Sequence, residues 1–401
     1  MAASFAARGL FAGAILLSSC PRLESERPRV EALDPVAVGH VRALEDLGGR
    51  PLQIRTLALD PPVFLLPGFL NDAEADEVRS LAQGWESSQA GDGDKERNQL
   101  MLQSGGKQAL NVLRHFDKNR DQHLTRREFQ MFVKDVFGLP NFNGDDFASF
   151  AALANGAVAD GSVNRDSIKL ERVLKADPVP YFQELGQKEP HRYERFSETV
   201  WIEHNTPLMW NILNRTAAVT GLPDVVIKNT EPLQVVRYPP LGHYACHHDS
   251  TPDSIDSGEF RFATLGMFLN DVPAGGETAF PGADVEGAAK WGPENWAKLE
   301  DRCQVTEACT SLGGLVVRPR KGDGLLWYNV KPRALSELAA GRWDRGKGYG
   351  ERTLLWSSMH CGAEVHEGEK VFANLWLHLP RSWTEPQKRR RRRHSAPTNE
   401  L

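Results

Sequence analysis

The second half of the chain is a succession of short apolar segments, each closed by glycine, proline or aspartate. They read "LQVVRYPPLGHYACHHD", "RFATLGMFLND", "GGLVVRPRKGDGLLWYN", "RTLLWSSMHC" and "KVFANLWLHLP". Segments of this length with turn residues between them predict the strands of a sandwich, barrel or jelly roll. From about Leu100 to Val173 the pattern is helical instead. We therefore expect an α+β protein in which a helical insert precedes a β core.

Composition sets the broad class. The chain has 401 residues, of which 40% are apolar and 25% charged, as in soluble globular proteins. That length allows two modest domains or one large domain with an insertion. The formal net charge of -5 argues against broad nucleic-acid binding, which usually needs a basic face.

The stretch "GHYACHHDS" suggests a metal site. On an extended segment, side chains two residues apart share a face, so His247 and Asp249 can reach one ion while His248 points away. An imidazole and a carboxylate at this spacing, completed by a distant histidine, form the facial triad of non-haem Fe(II) oxygenases. A His-x-Asp pair alone also occurs by chance as a surface polar cluster, so a third ligand is needed.

His360 is the expected third ligand. It follows the apolar segment "TLLWSSM" and precedes Lys370 by ten residues, which would place a ligand on one strand and a cation on the next. The other downstream histidines fit less well, because they lie in a polar turn, beyond the hairpin or in a basic tail: His366, His378 and His394. The combination favours a metal site with a cation for an acidic cosubstrate.

Four segments resemble, in order, the motifs of the prolyl 4-hydroxylase family. They are "EPLQVVRYPPLGHYACHHDS", "RFATLGMFLNDVPAGGETAFP", "VVRPRKGDGLLWYN" and "MHCGAEVHEGEKVFANLWLH", within a similarity that runs from about residue 62 to 380. The resemblance implies a double-stranded β-helix (jelly-roll) oxygenase core with supporting helices. It also implies Fe(II), 2-oxoglutarate, O2 and ascorbate as cofactors, and a proline-containing polypeptide as substrate. The proline would be hydroxylated at its 4-position while 2-oxoglutarate is converted to succinate and CO2.

The resemblance also assigns roles by position. It implies that His247, Asp249 and His360 hold iron and that Lys370 pairs with the 5-carboxylate of 2-oxoglutarate. Further contacts to the cosubstrate or the pocket wall fall on Tyr238, Thr264, Asn374 and Trp376, whereas Tyr244 could equally be core packing. Cys361 stands where family members with a helical insert have glycine.

The helical insert contains one segment that fits a calcium-binding EF-hand loop. In "DKNRDQHLTRRE" the ligand positions are occupied by Asp117, Asn119, Asp121, His123 (through its carbonyl), Thr125 and Glu128. Gln122 stands where the sharp turn normally has glycine, and a left-handed side chain there costs about 1 kcal/mol. A helix–loop–helix kept only for structure is the alternative. A second loop, 156–167 with Val163 at its apolar position, looks degenerate and unable to hold calcium.

The cysteines fit neither a disulfide scaffold nor a CxxC metal motif. Cys303 and Cys309 could bridge in an oxidising compartment. Cys246 and Cys361 are expected to be small buried apolar residues.

The two ends of the chain suggest conflicting locations. Residues 1–20 resemble a signal peptide or a signal anchor, which would allow membrane association through the N-terminus. With the terminal "TNEL", this favours the endoplasmic reticulum. The basic run "KRRRRRH" predicts a disordered tail, a nuclear localisation signal or attraction to acidic partners.

The expected organisation is a linker at 21–55, the first part of the catalytic domain at 56–90, the EF-hand-like insert at 98–175, the oxygenase core at 185–382 and a disordered tail at 383–401. The leading hypothesis is an endoplasmic-reticulum prolyl 4-hydroxylase. An oxygenase for another peptidyl side chain and a calcium-responsive binding module with an inactive core are the rivals. Sequence predicts neither the target protein nor the oligomeric state.

Overall fold

Two large antiparallel sheets, two short two-stranded ladders (Ala274–Gly275 with Val365–Glu367, and His123–Thr125 with Ser167–Lys169) and a helical unit make up the described part of the fold. The computed structural model describes residues 27–45, 51–87, 93–155, 166–286, 313–342 and 348–384. The strands of these residues are β1 (Val41–Glu45), β2 (Pro51–Leu59), β3 (Pro62–Leu66), β4 (Glu86–Ser87), β5 (His123–Thr125), β6 (Ser167–Lys169), β7 (Arg195–Phe196), β8 (Glu198–Ile202), β9 (Leu233–Tyr238), β10 (His243–His247), β11 (Arg261–Phe268), β12 (Ala274–Gly275), β13 (Thr278–Phe280), β14 (Leu315–Val317), β15 (Gly324–Tyr328), β16 (His360–Gly362), β17 (Val365–Glu367) and β18 (Lys370–His378).

The helices fall into two groups: those between residues 93 and 188 form the helical unit, and the others lie around the sheets. They are α1 (Asp72–Leu81), α2 (Gly93–Ser104), α3 (Gly106–Phe116), α4 (Arg126–Phe137), α5 (Gly144–Asn155), α6 (Leu170–Lys175), α7 (Pro178–Lys188), α8 (Pro207–Thr220), α9 (Asp224–Ile227), α10 (Pro252–Ser257), α11 (Pro332–Ala339), α12 (Tyr349–Thr353) and α13 (Arg381–Thr384), with 3-10 turns at Pro190–Arg192 and Trp356–Ser358.

The larger sheet is the frame of the β core. Its strand order is β1-β2-β3-β15-β11-β18-β9-β8-β4, and all its pairings are antiparallel. One face packs on α1 and α8 through a continuous apolar core that includes Val78, Ile212 and Leu375. The central strands are apolar on both faces because helices cover one side and the second sheet covers the other.

The smaller sheet lies across the other face. Its order is β14-β13-β16-β10-β7. Phe268 and Phe372 of the large sheet meet Phe280 and Val365 in the apolar cluster between the sheets. This two-sheet arrangement is consistent with the expected double-stranded β-helix core.

Local signals of helix ends agree with the sequence. Asn71 and Glu74 form a capping box at the start of α1, each side chain bonding the other's main-chain N–H. Glu74 also pairs with the buried Arg215 of α8 at 2.8 Å, which ties the two helices together. Gly221 ends α8 in the left-handed conformation, which glycine adopts without steric cost.

The helical unit of α2 to α7 has a core of its own. Phenylalanines dominate it, and their rings pack edge-on or tilted around Phe129 and Phe182. The short ladder of β5 and β6 pairs Leu124 with Ile168. In the expected second loop, Val163 was the apolar residue that corresponds to Leu124. Ile168, five residues later, takes that place in the ladder, so the expected alignment is wrong. Most of the expected loop lies outside the described residues.

Residues 41–55 correct another expectation. They were expected to be linker, but 41–45 and 51–55 form β1 and the first half of β2, which pair with each other in the large sheet. Alternate residues of β2 are buried, Leu52 and Ile54 among them. The prolines and charges upstream of this segment hid the alternation in the sequence.

Several terminal expectations lie outside the described residues. These are the N-terminal signal, the basic run of the tail and the pairing of Cys303 with Cys309. Within the described residues, no helix has both the length and the apolarity needed to cross a membrane.

Replacing Gly266 by alanine should destabilise the large sheet. A Cβ atom at Gly266 of β11 would lie 2.2 Å from the Phe372 ring, and such overpacking costs about 1–3 kcal/mol. Chemical denaturation would measure the free energy of unfolding. The double variant Gly266→Ala/Phe372→Leu should recover part of the loss, and an unchanged midpoint for the single variant would contradict the packing described.

Candidate metal centre and its cavity

Strand pairing brings two histidines and an aspartate together. His247 is the last residue of β10 and His360 the first of β16, and the two residues are direct partners in the antiparallel ladder. Asp249 follows two residues after His247. The Nε2 atoms of His247 and His360 lie 3.9 and 3.8 Å from the Asp249 carboxylate oxygens. One ligand atom from each residue lies within 4.8 Å of the others.

Main-chain carbonyls fix the orientation of both imidazoles. Nδ1 of His247 lies 2.8 Å from the carbonyl oxygen of Ala245, and Nδ1 of His360 lies 3.0 Å from that of Ser358. A carbonyl only accepts hydrogen bonds, so each Nδ1 carries the proton and each Nε2 turns its lone pair towards Asp249. Two imidazoles whose Nε2 atoms face one carboxylate are a donor set that fits a divalent transition metal.

Burial sets the protonation states at this site. Burial, then the neighbouring His360, lowers the pKa of His247 to about 3, so its ring is neutral at physiological pH. Burial alone would raise the pKa of Asp249, but the two histidines and a hydrogen bond from Thr264 outweigh it and the pKa is lowered. The carboxylate is therefore ionised, as a metal ligand must be.

His248 is not one of the three convergent residues, as the alternation predicts, although it also lines the cavity. Its ring packs edge-on against Trp356, with centroids 5.4 Å apart, and Nδ1 lies 3.5 Å from the Ser358 hydroxyl.

Thr264 and Asn329 hold the aspartate. The Thr264 hydroxyl donates to Asp249 at 2.6 Å and accepts from the Asn329 amide at 3.1 Å. The sequence assigned Thr264 to the cosubstrate carboxylate; that role stays a prediction, and in the structure its hydroxyl is bonded to the aspartate. Asn329 follows "LLWY" with no motif to distinguish it, so sequence reasoning missed it.

Lys370 lies in the same cavity, opposite Tyr238 in the β9–β18 ladder. Its Nζ donates to Thr278 at 3.3 Å and lies 5.0 to 5.7 Å from the ring centroids of Phe372, Tyr238 and Phe268. Burial lowers the pKa of Lys370 to about 7, which Glu277 partly opposes. No carboxylate of the described residues pairs with this ammonium. A buried cation of this kind can receive an anionic ligand.

The cavity joins the two ends of the site. Its wall contains the three convergent residues, Lys370 and most of the other residues expected to line it: Tyr238, Tyr244, Asn374 and Trp376. The ring of Tyr244 stacks on that of His247 with centroids 3.6 Å apart, and the Arg195 guanidinium lies 4.7 Å from the Tyr244 ring centroid. Tyr244 both lines the cavity and packs against the apolar cluster between the sheets, so a functional role for it stays a prediction. Thr278, Arg195, Trp201 and Arg261 also contribute to the wall or rim and were not singled out from the sequence.

Comparison with known proteins is consistent with this geometry. Residues 233–378 match the sequence profile of the 2OG-Fe(II) oxygenase superfamily. The span contains all three convergent residues and Lys370.

Residues 233–378 are thus a 2OG-Fe(II) oxygenase domain.

The relatives of this oxygenase are prolyl 4-hydroxylases. It is 29% identical over 390 residues to transmembrane prolyl 4-hydroxylase of Homo sapiens, which covers 86% of this chain and 69% of that protein. It is 28% identical over 222 residues to probable prolyl 4-hydroxylase 4 of Arabidopsis thaliana, covering 55% and 63%. A solved structure of viral collagen prolyl hydroxylase from Paramecium Bursaria Chlorella virus-1 aligns with a TM-score of 0.31 and 23% identity, covering 48% and 83%.

A disulfide crosses the metal strands of the oxygenase. Cys246 and Cys361, each next to one of the two convergent histidines, are bonded across β10 and β16 with a Cα–Cα distance of 4.2 Å. Both residues are buried, as expected, but the expectation of independent apolar thiols is wrong. Residues cross-strand from each other in an antiparallel ladder come close enough to bond, which the sequence spacing of 115 does not show.

The expected calcium loop is a tight turn between α3 and α4. The Asp117 carboxylate accepts from the main-chain N–H groups of Asp121 and Gln122, and the Asn119 amide donates to Asp121. Gln122 has a φ of 66°, the left-handed conformation expected at this position. Glu128 accepts from the main-chain N–H groups of Lys118 and Thr125.

The loop does not form a second convergent metal cluster among the described residues. The group of His247, Asp249 and His360 is the one in which three His, Cys, Asp or Glu ligand atoms come within 4.8 Å. His123 Nδ1 lies 2.9 Å from the carbonyl oxygen of Asp121. Calcium binding by Asp117, Asn119, Asp121, His123 and Glu128 therefore stays a prediction.

Replacing Thr264 by valine should weaken metal binding. The change removes the hydrogen bond that orients Asp249, and loss of such a partner typically lowers metal affinity by about 10- to 100-fold. Titration of the purified protein with Co2+, followed by absorbance, would measure the dissociation constant. Thr264→Ser keeps the hydroxyl and should stay close to wild type. Equal affinity of the valine variant and wild type would show that Asp249 is held by other contacts.

Proposed function

We propose that this oxygenase hydroxylates peptidyl proline at the 4-position, coupled to the oxidative decarboxylation of 2-oxoglutarate to succinate and CO2. The observation that carries the proposal is the placement of His247, Asp249 and His360 in one cavity with Lys370. The superfamily supplies the metal and the cosubstrate, and the names of the relatives supply the substrate class.

His247, Asp249 and His360 are the residues that would hold Fe(II). Iron bound there supplies the redox chemistry that links decarboxylation of 2-oxoglutarate to oxidation of a C–H bond. A set of three protein ligands is the kind that would leave room for the cosubstrate and oxygen. The carboxylate at position 249 also favours hydroxylation over halogenation, because halogenating relatives have a small residue there and halide takes its place.

Lys370 would bind the far carboxylate of 2-oxoglutarate. The aromatic rings of Tyr238, Phe268 and Phe372 surround its ammonium and keep water away, which strengthens an ion pair with the ligand. Thr278 orients the ammonium and offers the carboxylate a second donor. The cosubstrate would then lie along the cavity with its 2-oxo acid end at the metal.

Peptide would enter from the side opposite Lys370. Trp376 and Asn374 are on the same face of β18 as Lys370 but nearer the other end of the strand. The Gln234 side chain accepts from the Asn374 amide at 3.2 Å, so these two amides line the wall between the cosubstrate end and the rim. Such groups can bind the main-chain amides of an extended substrate.

Calcium, ascorbate and location form the finer part of the proposal. The loop from Asp117 to Glu128 has the ligand types of an EF-hand at the expected spacing, which supports one calcium ion in the insert at 98–175. Ascorbate would keep the iron reduced. The N-terminal segment 1–20 supports entry to the endoplasmic reticulum, with membrane association through it; nuclear import through the basic tail is the alternative.

Product analysis tests the activity. The full chain would be incubated with Fe(II), 2-oxoglutarate, ascorbate and O2, with proline-containing peptides and with matched peptides in which alanine replaces proline. We expect succinate and a 16 Da mass gain on proline only, and neither product with His247→Ala. Oxidation of another residue would indicate a different peptidyl substrate. No succinate in any reaction would indicate a binding module with an inactive core.

Binding of 2-oxoglutarate should take up a proton above neutral pH. The pKa of Lys370 is lowered to about 7 in the free protein, and a carboxylate beside it favours the charged form. The affinity should therefore fall as the pH rises above about 7, by up to about tenfold per pH unit. Calorimetry of the Mn2+-loaded protein at pH 8, in buffers of different ionisation enthalpy, would count the protons.

Lys370→Arg is the matched control for this measurement. An arginine stays charged throughout the pH range, so binding of 2-oxoglutarate to the variant should take up no proton. The affinity should be lower, because the planar guanidinium does not fit a site shaped for an ammonium. Proton uptake that persists in Lys370→Arg would assign the titration to another group.

Replacing Gln122 by glycine should tighten calcium binding. Relief of a left-handed side chain is worth about 1 kcal/mol, or about fivefold in affinity. Replacing Glu128 by glutamine should weaken binding, because the closing ligand loses its charge. Calorimetric titration with Ca2+ would measure both, with wild type expected to show one site. No heat in any of the three proteins would leave the loop a purely structural turn.

A further inference from the structure

Trp201 is a large apolar side chain left open to solvent beside the active site. It belongs to β8, whose residues Val200 and Ile202 pack into the core of the large sheet. Because side chains alternate along a strand, Trp201 projects to the cavity side, and it lines the cavity wall. Its exposure is nevertheless 47%. Covering an indole of this area with a ligand contributes substantially to the free energy of binding.

The neighbours of Trp201 hold it in a defined position. Its ring lies 5.6 Å from that of Trp376, tilted by 46°. The Arg261 guanidinium covers Trp376 at 3.3 Å from the ring centroid, and Glu231 binds that guanidinium through two hydrogen bonds of 2.8 and 2.9 Å. Burial alone would raise the pKa of Glu231, but its bonds to His378 and Arg261 lower it to about 2, so the carboxylate stays charged. These contacts hold Trp376 in place, and the ring of Trp201 packs against it.

Strand register places polar groups in line with the indole. Trp201 is directly opposite Gln234 in the β8–β9 ladder, and Gln234 is opposite Asn374 in the β9–β18 ladder. Three neighbouring strands therefore place an indole and two side-chain amides side by side across the sheet, in the order Trp201, Gln234 and Asn374. The next strand contributes Gly266, which adds no side chain to the row. A chain lying across this row would meet hydrogen-bonding groups first and an apolar ring surface last.

These three side chains fit an extended peptide that has a proline ring next to the residue to be hydroxylated. Side-chain amides can satisfy the main-chain groups of a peptide. An aromatic surface flanked by polar groups is how proteins bind the proline rings of polyproline II segments, which have no internal hydrogen bonds to break. Trp376 is shielded on one face by Arg261, so the exposed surface of this pair belongs to Trp201.

We propose that Trp201 is a specificity residue that receives the ring of a proline flanking the hydroxylated position. This inference rests on the proposed prolyl hydroxylation and names a feature of its substrate: a proline-rich extended segment is preferred over an isolated proline. Trp201 contacts the substrate beside the reacting residue and takes no part in holding the metal or the cosubstrate.

The test compares two exposed tryptophans. Trp201→Ala is the test variant, and Trp210→Ala is its matched control, because Trp210 is 45% exposed on α8 and does not line the cavity. Each protein would be assayed with two peptides, one with prolines on both sides of the target proline and one with alanines there. The readouts are KM and kcat for the peptide and KM for 2-oxoglutarate.

Trp201→Ala should raise the KM for the proline-flanked peptide by about tenfold, the size expected for loss of one aromatic contact. Its kcat and the KM for 2-oxoglutarate should stay at wild-type values, and Trp201→Phe should recover most of the affinity. With the alanine-flanked peptide, wild type and Trp201→Ala should have the same KM. Trp210→Ala should match wild type with both peptides.

Three outcomes overturn the inference. An unchanged KM in Trp201→Ala would show that the indole does not contact the peptide. An equal loss with both peptides would show that the contact does not read the flanking ring. A change in the KM for 2-oxoglutarate would place Trp201 with the cosubstrate. Failure of the proposed function is distinguishable, because wild type would then hydroxylate neither peptide.

Discussion

The pairing of His247 with His360 across β10 and β16 is the constraint on which the rest of the site depends. Side chains of a strand alternate between faces, so a slip of one residue would turn one imidazole away from Asp249. Main-chain carbonyls then fix each ring, and the Cys246–Cys361 disulfide joins the same two strands one residue away from the ligands. The backbone thus orients both imidazoles, which would lower the entropic cost of binding a metal between them and Asp249.

The two ends of the cavity come from different sheets. The histidines lie on strands of the small sheet, whereas Lys370 begins β18 of the large sheet. Their relative position depends on the apolar cluster between the sheets, where Phe268 and Phe372 both pack and contact the lysine. The same rings that hold the sheets together keep water from the ammonium. Packing between the sheets and the apolar surroundings of the Lys370 ammonium therefore rest on the same residues.

How far sequence could predict this molecule depended on whether a signal was local. The His-x-Asp spacing, the apolar segments and the left-handed Gln122 are short-range patterns, and each matches the structure. Thr278 and Asn329 make their contacts with strands that are distant in the sequence. The disulfide between Cys246 and Cys361 depends on the pairing register of β10 and β16, which the residue types do not predict. The strands at 41–55 were missed for a similar reason, since their partner is decided by the folded sheet.

The helical unit is connected to the metal centre through main-chain hydrogen bonds. The carbonyl of Gly138, which ends α4, accepts from the N–H of Glu194, and the carbonyl of Glu194 accepts from the N–H of Ala245 at 2.8 Å. The carbonyl of Ala245 in turn accepts from His247. The helix α4 begins at the expected calcium loop. This helix and the three successive hydrogen bonds therefore connect that loop to His247. The position of β10 therefore depends on a contact with the helical unit as well as on its own sheet.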